Sequence, residues 1–484
     1  MKPYLLDEIA QALNTCCQGG SAAAAPATFC GVSSDTRSLE PGNLFVALKG
    51  ERFDGHRYLA QAVQLGAAAF VVSEPSAWEQ LLPEQRRPCF VVPDTEVALD
   101  QIAGWYRGQL TAKVIGVTGS VGKTSTRDMV TAALGRQLKT CGTKANLNNH
   151  IGLAWTILST AEDTQALVVE MGIDAPGTMA RLSDMARPDL ALITGIGFSH
   201  IAQFKTRDNI MLAKGQITHG MKNGRDLLLN ADDSYLRRLA LQKQEQFSVS
   251  YISTAAQPPA SCRHRLMQAR NIQADLNGVS FDAVYWQDGQ AKLWQKNVTL
   301  PVAGLHHVQN ALFALLTAKR LELDPRQSAL GLMDFQVTGD RQRLIRVGGL
   351  MIINDSYNAS PESVQAAINL LGEVGGPRRR VVAMASMNEL GEYAWALHQE
   401  IGERLALGDV DELYLCGPFA EAVEQGARQV KPGAMHIHRF KDRDSLIIAL
   451  LTALNEQDIL LVKGSRSYQM EKVVEAVVSD RTEG

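Results

Sequence analysis

Nowhere in the 484 residues is there a run of roughly 18 apolar residues of the kind a membrane helix needs. The opening stretch MKPYLLDEIAQALN carries Asp7 and Glu8 where a secretory leader would place its apolar segment. A cytoplasmic chain without a membrane span is therefore expected. Basic excess is missing too: 48 Lys and Arg against 51 Asp and Glu leave a net charge of −3, which argues against nucleic acid as the main partner. A local anion site is still compatible with that balance. The seven cysteines (Cys16, Cys17, Cys30, Cys89, Cys141, Cys262 and Cys416) are odd in number, scattered and never spaced C-x-x-C, so reduced structural thiols are expected. Also absent are a G-x-G-x-x-G fingerprint and any fixed short repeat.

What is present is the composition of a globular protein, 45% hydrophobic and 20% charged. At roughly 100–200 residues per domain, the length suggests about three domains. Residues 1–110 mix short strands (LFVAL, AAAFVVS) with a helical piece (HRYLAQAVQLGA), and SAAAAPA at 21–27 reads as a connection. From 111 the alternation becomes regular: KVIGVTG, ALVVEMG and DLALITGIG read as buried strands. GKTSTRDMVTAALGRQL and GTMARLSDM read as helices. Short apolar runs separated by helical periods imply a parallel sheet covered on both faces. Gly-punctuated strands over 265–302 suggest an antiparallel addition, followed by the helix HHVQNALFALLTAKRL. A third unit from 338 offers four strands, GLMIINDSY, RRVVAMAS, ELYLCG and DILLVKGS, each followed by a helical stretch. The expected fold class is α/β in three domains, 1–110, 111–337 and 338–484.

The chemistry starts at VIGVTGSVGKTSTRDM, residues 114–129. It looks like a phosphate loop one step short of G-x-x-x-x-G-K-[ST], since the residue five before Gly122 is Val117. A strand turning through glycines into a helix aims backbone N–H groups and the positive end of the helix dipole at an anion. Gly119 and Gly122 permit close approach, Lys123 neutralises a β- or γ-phosphate, and the Thr124 hydroxyl can ligate Mg²⁺. Glu170 ends the strand ALVVEMG, where carboxyl ends of parallel strands hold ligands. It is a candidate metal carboxylate or a solvated strand end. His200, at the same edge in GFSHIAQF, is a candidate metal ligand or a hydrogen-bonded structural histidine. Lys214 reads by default as a solvated helix lysine. In NDSYNASPES, Asp355 could hold a ribose hydroxyl, while Ser360 before Pro361 could simply cap a helix. In VKGSRSYQME, Lys463, Ser465 and Arg466 form a similar turn, where Arg466 could clamp a carboxylate.

Taken together these residues resemble the Mur ligases, ATP-dependent amide-forming enzymes of peptidoglycan precursor synthesis. The resemblance runs from SSDTRSLEPGNLFVALKGERFDGHRYLAQAVQLGA through VTGSVGKTSTRDM, NLNNHIG, EMGIDAPGTM, GLHHVQNAL and INDSYNASPES to NELGE and VKGSRSYQME. The short T-G-S-x-G-K-T loop is characteristic of that superfamily. Within it, the blocks are most similar to the members that add D-alanyl-D-alanine to a UDP-N-acetylmuramoyl tripeptide.

The resemblance implies a small α/β N-terminal domain for the UDP-sugar, a central P-loop ATPase-like domain and a C-terminal Rossmann-like domain that closes over the nucleotide. It implies ATP phosphates at Gly119, Ser120, Val121, Gly122, Lys123, Thr124 and Ser125. Mg²⁺ would sit at Thr124, Glu170 and His200, adenine near Asn310, and Arg341 and Asp355 on the phosphate and ribose sides. Ser34, Asp35, Thr36 and Arg37 form the uridine-side block; Asn146, Asn148, Tyr357, Asn358, Ser465 and Arg466 are the further substrate candidates. Lys214 aligns with a lysine that several relatives carry as a carbamate. The partners implied are small molecules, and a monomer is expected. Departures from the family pattern are Gly195 in GIGFSH where Asn is usual, AQFKTRD after the histidine, and ASMNELG where G-D-M precedes E-L-G.

The implied mechanism is carboxylate attack on the γ-phosphoryl group of ATP, then amine attack on the acyl phosphate; no residue declares itself as the base for that amine. Three rivals are weighed. Folylpolyglutamate synthase would lack the N-terminal block, and the Mur ligase adding the third residue usually carries D-N-P-R, absent here. A P-loop binding module gives no reason for Glu170, His200 and the third-unit turns.

Overall fold

The computed structural model of the chain describes residues 1–19, 28–50, 53–433 and 435–483; the connection read at 21–27 lies outside the described residues. Among the described residues three large sheets follow one another along the chain, beside a two-stranded antiparallel pair, Tyr4–Leu5 with Thr28–Phe29. The first has five strands in the spatial order 17–18, 89–91, 69–72, 44–46 and 32–33, parallel except for the pair Cys17–Gln18 and Cys89–Val91. The helix Thr95–Gln109 leaves this sheet and packs on the helices His150–Leu158 and Thr178–Ala186 of the next unit. Tyr4, Phe29, Trp105 and Tyr106 form an aromatic cluster there, and the Tyr106 hydroxyl donates to Thr160 O at 2.8 Å. A buried phenol needs such an acceptor, so the contact fixes the orientation of the first unit's last helix.

The second sheet has nine strands. Seven run parallel in the order 140–142, 166–170, 113–118, 190–193, 226–230, 248–253 and 265–275. The long antiparallel strands Gly278–Gln287 and Gln290–Leu300 extend it. The strand Lys113–Thr118 lies inside the sheet with Ala166–Glu170 on one side and Leu190–Ile193 on the other. The chain therefore winds first to one side of this strand and then to the other, which opens a crevice at its carboxyl end. Apolar residues of the strand, Val114, Ile115 and Val117, are completely buried, as the continuous hydrophobic run requires of a strand covered on both faces.

The third sheet has six strands in the order 343–347, 350–355, 459–463, 380–385, 412–416 and 436–440, the first pair antiparallel and the rest parallel. Two of them exceed the four read from the sequence: Arg343–Val347 (RLIRV) and His436–Phe440 (HIHRF). Both are edge strands, half exposed and carrying Arg and His, so neither shows the apolar run that marked their neighbours. In the second unit Thr140–Gly142, Asp226–Asn230 and Ser248–Ser253 likewise add to the strands named from the sequence. The helix Pro361–Gly375 begins as the sequence suggested: Ser360 is its N-cap and shares a reciprocal capping arrangement with Ser363, with Pro361 in the first turn.

Candidate active site

The strand Lys113–Thr118 ends in the loop 119–122, and the helix Lys123–Gly135 starts immediately after it. Gly119 has φ 151°, and a Cβ there would lie 1.8 Å from Thr194 Oγ1. Only glycine fits between loop and neighbouring strand. Gly122, the N-cap residue, has φ 79°. The first-turn amides of the helix have no carbonyl of their own helix to bond, which leaves them facing the crevice. The segment 195–197 braces the loop through main-chain atoms: Ser120 N–H donates to Gly195 O at 2.9 Å and Gly197 N–H to Ser120 Oγ at 2.8 Å. The bracing comes from the backbone, so Gly195 makes it without the side chain usual at that position. Thr194 Oγ1 donates to Val121 O at 2.5 Å, so Val121 takes part through its carbonyl.

The crevice is a cavity of ≈ 440 Å³ with walls from the second and third units. Of the residues singled out in the sequence, Ser120, Val121, Gly122, Lys123, Thr124, Ser125, Asn146, Asn148, Glu170, His200 and Asn310 line it from the second unit. Arg341, Asp355, Tyr357, Asn358 and Lys463 line it from the third.

Glu170 is almost wholly buried and fully engaged. Its Oε2 accepts from Thr124 Oγ1 at 2.9 Å and faces Arg127 at 3.2 Å; its Oε1 accepts from Asn148 Nδ2 at 2.8 Å. A buried carboxylate needs such compensation, and the Arg127 guanidinium supplies the charge. Arg127 carried no expectation from the sequence, although it sits three residues beyond Thr124, on the same face of the helix. Asn310, on the helix His306–Arg320, accepts from Thr126 Oγ1 at 3.0 Å.

Two lysine side chains converge on a single carbonyl. Lys123 Nζ donates to Gly119 O at 2.9 Å, and Lys214 Nζ donates to the same oxygen at 3.0 Å. Lys214 is 1% exposed, not a solvated helix lysine. Burial pushes its pKa well below the ordinary lysine range, and the neighbouring Lys123 charge pushes the same way. Lys123 is also lowered, by burial first; Glu170 opposes that shift and Arg341 adds to it. Lys214 does not reach the cavity surface; it stands behind the loop.

Across the cavity, Lys463 Nζ lies 2.5 Å from Asp355 Oδ2 and donates to Asn358 O at 3.1 Å. Burial raises the Asp355 pKa, with the Lys463 charge and hydrogen bond opposing the shift. The Arg341 guanidinium sits over the Tyr357 ring, 4.1 Å from its centroid, and Arg466 approaches the same ring at 5.6 Å. Stacking of this kind aims a guanidinium without neutralising it.

His306 and His307 also line the cavity, from the start of the helix His306–Arg320, with ring centroids 4.1 Å apart. Both titrate low: burial and the Lys463 charge bring His306 to about 4, and burial with His306 beside it holds His307 well below the usual histidine range. The sequence contained them in GLHHVQNAL but offered no reason to separate them from the helix.

Other residues singled out lie elsewhere. Ser465 is buried behind the cavity wall, its Oγ accepting from Asn388 N–H at 2.8 Å, and Arg466 pairs with Glu471 at 3.1 Å. Neither lines the cavity. Ser34, Asp35, Thr36 and Arg37 follow the strand Val32–Ser33 in the first unit. Arg37 binds Asp35 through its backbone N–H at 2.9 Å and through NH2 at 2.6 Å, and Thr36 Oγ1 donates to Gln61 Oε1 at 3.1 Å.

The donors at the cavity fit a magnesium ion, which takes a hydroxyl, one or two carboxylates and otherwise phosphate and water oxygens. Thr124 and Glu170 are in mutual contact at 2.9 Å, and His200 lines the same cavity. The cluster Asp54, His56 and Glu74 in the first unit has ligand-like spacing but is satisfied internally. His56 Nδ1 faces Asp54 at 2.7 Å and its Nε2 accepts from Ser73 N–H at 3.0 Å, so no ring nitrogen is left for a metal.

Comparison with known proteins agrees along the whole chain. Residues 28–107 match the Mur ligase family catalytic domain, 117–318 the Mur ligase middle domain, and 340–466 the Mur ligase glutamate ligase domain. A UDP-N-acetylmuramoyl-tripeptide--D-alanyl-D-alanine ligase of Bacillus subtilis is 34% identical over 453 residues, 93% of each chain. The Escherichia coli protein of the same name is 31% identical over 99% of each. Among solved structures, a crystal structure of MurF from Acinetobacter baumannii superposes with a TM-score of 0.85 at 28% identity, covering 99% of both chains. MurF ligase from Thermotoga maritima, in complex with ADP, gives 0.76 at 25% identity over 93% of this chain and 98% of its own. Among the described residues no helix is long and apolar enough to cross a membrane.

Proposed function

The chain belongs to the Mur ligase family, and from that premise we propose that it joins D-alanyl-D-alanine to a UDP-N-acetylmuramoyl tripeptide at the expense of ATP, giving the pentapeptide precursor of peptidoglycan. It is an ATP-dependent carbon–nitrogen ligase. The observation that carries the site assignment is that one cavity has the phosphate loop on one wall and a third-unit cation, Arg341, on the other. A reaction that makes a water-sensitive acyl phosphate needs such a two-sided enclosure.

A carboxylate does not condense with an amine at neutral pH without activation. The terminal carboxylate of the tripeptide attacks the γ-phosphorus of ATP, the β–γ bridging P–O bond breaks and ADP leaves. The amine of the dipeptide then attacks the acyl carbon, and phosphate departs with the former carboxylate oxygen. Lys123 turns from Gly119 O to the γ-phosphate, and Arg341 meets the transferring group from the other side. Both stabilise charge that grows in the transition state, and this is mainly positioning and electrostatics. Asn310 faces the adenine, and Asp355 the ribose, with Lys463 holding its carboxylate in place. Thr124, Glu170 and His200 are the residues that would hold magnesium, which when bound neutralises phosphate charge.

Lys214 acts from behind the loop. Burial lowers the Lys214 pKa and so favours the neutral amine that reacts with carbon dioxide, and carbamylation would set an anion beside the Lys123 ammonium. Mass spectrometry of the intact protein detects the carbamate; full activity of Lys214→Ala would remove it from the mechanism. Ser34, Asp35, Thr36 and Arg37 receive the uridine side of the substrate, with Asn146 and Asn148 nearer its peptide. Tyr357 and Asn358 complete the dipeptide side. Ser465 and Arg466 support the neighbouring turn. Working units are 1–110, 111–337 and 338–484, and the enzyme acts as a monomer in the cytoplasm.

Phosphate release with ATP and UDP-N-acetylmuramoyl tripeptide, scored with and without D-alanyl-D-alanine, tests the assignment. Release that rises with the dipeptide and matches amide product is expected. Release that ignores the dipeptide would overturn it.

A further inference from the structure

The reaction as described uses His200 but not the group that holds it. His200, with φ 65°, follows the strand Leu190–Ile193 of the second unit; Glu389, with φ 64°, follows the strand Arg380–Ala385 of the third. Glu389 Oε2 lies 2.6 Å from His200 Nδ1. Left-handed backbone at residues other than glycine persists where the surroundings over-determine it, and here two such residues meet across two units. More contacts surround them. Ala202 N–H donates to Glu389 O at 3.1 Å, and the Tyr393 hydroxyl donates to Lys205 O at 3.1 Å. Gly391, with φ 55°, packs so closely that a Cβ would lie 3.1 Å from Ala202 Cα.

The Glu389 side chain is 61% exposed, and exposed ion pairs contribute little to stability. Holding the units together is therefore a poor explanation for it. Orientation is a better one. A neutral imidazole carries one N–H and one lone pair, and a carboxylate at Nδ1 selects the Nδ1–H form. Among the described residues nothing bonds His200 Nε2, and the residue lines the cavity. Carboxylate–histidine pairs do this for metal-binding histidines generally, fixing both tautomer and ring angle.

We propose that Glu389 is a positioning residue: when the third unit docks, its carboxylate selects the Nδ1–H tautomer of His200 and presents the Nε2 lone pair to the nucleotide cavity. Docking and completion of the cation site are then one event. The catalytic consequence rests on the ligase reading; the tautomer itself does not.

The test uses the full-length, ligand-free protein with ¹⁵N-labelled histidine at about pH 8.5, above the ordinary histidine range. Signals of His200 among the ten histidines are assigned by their loss in His200→Gln. Wild type is expected to hold predominantly the Nδ1–H form. Glu389→Ala should shift it toward the Nε2–H form, and Gly391→Val should do the same while leaving Glu389 in the sequence. In steady state, Glu389→Ala should raise the magnesium concentration for half-maximal rate about 10- to 100-fold, with the affinity for ATP measured without magnesium unchanged. An unchanged His200 pattern in either variant, or an unchanged magnesium dependence, would overturn the proposal. Wild-type protein whose phosphate release ignores the dipeptide would instead overturn the ligase reading and leave the tautomer result standing.

Discussion

Asp35 and Asp355 are both aspartates beside a cation, and they live in opposite surroundings. Asp35 pairs with Arg37 two residues away, on a surface where the arginine side chain is 89% exposed. Hydrogen bonds from Arg37 bring its pKa down to about 2. Asp355 pairs with Lys463, 108 residues away and buried on both sides, and burial raises its pKa in spite of the lysine. The first pair forms from local sequence and gives up little water. The second exists only because the sheet sets Leu350–Asp355 beside Ile459–Lys463. Cavity charges are thus fixed by the fold before any ligand arrives, whereas the 34–37 block keeps its cation on the surface, held by a neighbour two residues away.

Four changes would break or sharpen that contrast. The largest effect is expected for Lys123→Ala: turnover should fall by about 10³-fold or more, since the cation meets the transferring phosphoryl group. Circular dichroism should report an unchanged fold, because among the described residues the Lys123 side chain hydrogen-bonds Gly119 O alone. Gly119→Ala comes next. Its Cβ would collide with Thr194, so ATP affinity should drop at least tenfold by calorimetry, the loop having moved.

Lys463→Met strands a buried carboxylate. Breaking such a pair costs about 3–5 kcal/mol, which a denaturation midpoint would report. The pH dependence follows from the raised Asp355 pKa. Its protonated form is favoured by folding, so the stability tied to this group is full below the ordinary aspartate range and is lost as pH rises through the raised value. Without the lysine that value rises further, and the variant should lose more stability at pH 8 than at pH 5. Adding Asp355→Asn should recover part of the loss. Smallest is Arg37→Ala, a surface change expected to leave the denaturation midpoint unchanged. It should raise the KM for the UDP-linked substrate several-fold with kcat unchanged. A destabilised Arg37→Ala would erase the contrast.

The same contrast explains what the sequence revealed. The loop 119–125 was legible because strand, glycines, lysine and helix are contiguous, Glu170 because it ends an apolar strand, and His200 because it follows one at the same edge. Arg127, Thr194, His307 and Glu389 were not, since their roles depend on which elements the sheets set side by side. Lys214 looked like a surface lysine because a nine-residue helix says nothing of which face is covered. Arg466 stands outside the cavity lining, its guanidinium beside Glu471 and the Tyr357 ring, a placement its strand-to-helix turn did not announce. Edge strands rich in Arg and His escaped for want of an apolar run.

The acyl phosphate is the centre of the mechanism, and isotope transfer tests it most directly. Tripeptide substrate labelled with ¹⁸O in its terminal carboxylate is turned over with ATP and D-alanyl-D-alanine, and the released phosphate is weighed by mass spectrometry. One ¹⁸O per phosphate is expected, because the carboxylate oxygen that attacked phosphorus leaves with it. Phosphate free of label, alongside amide product, would contradict the mechanism.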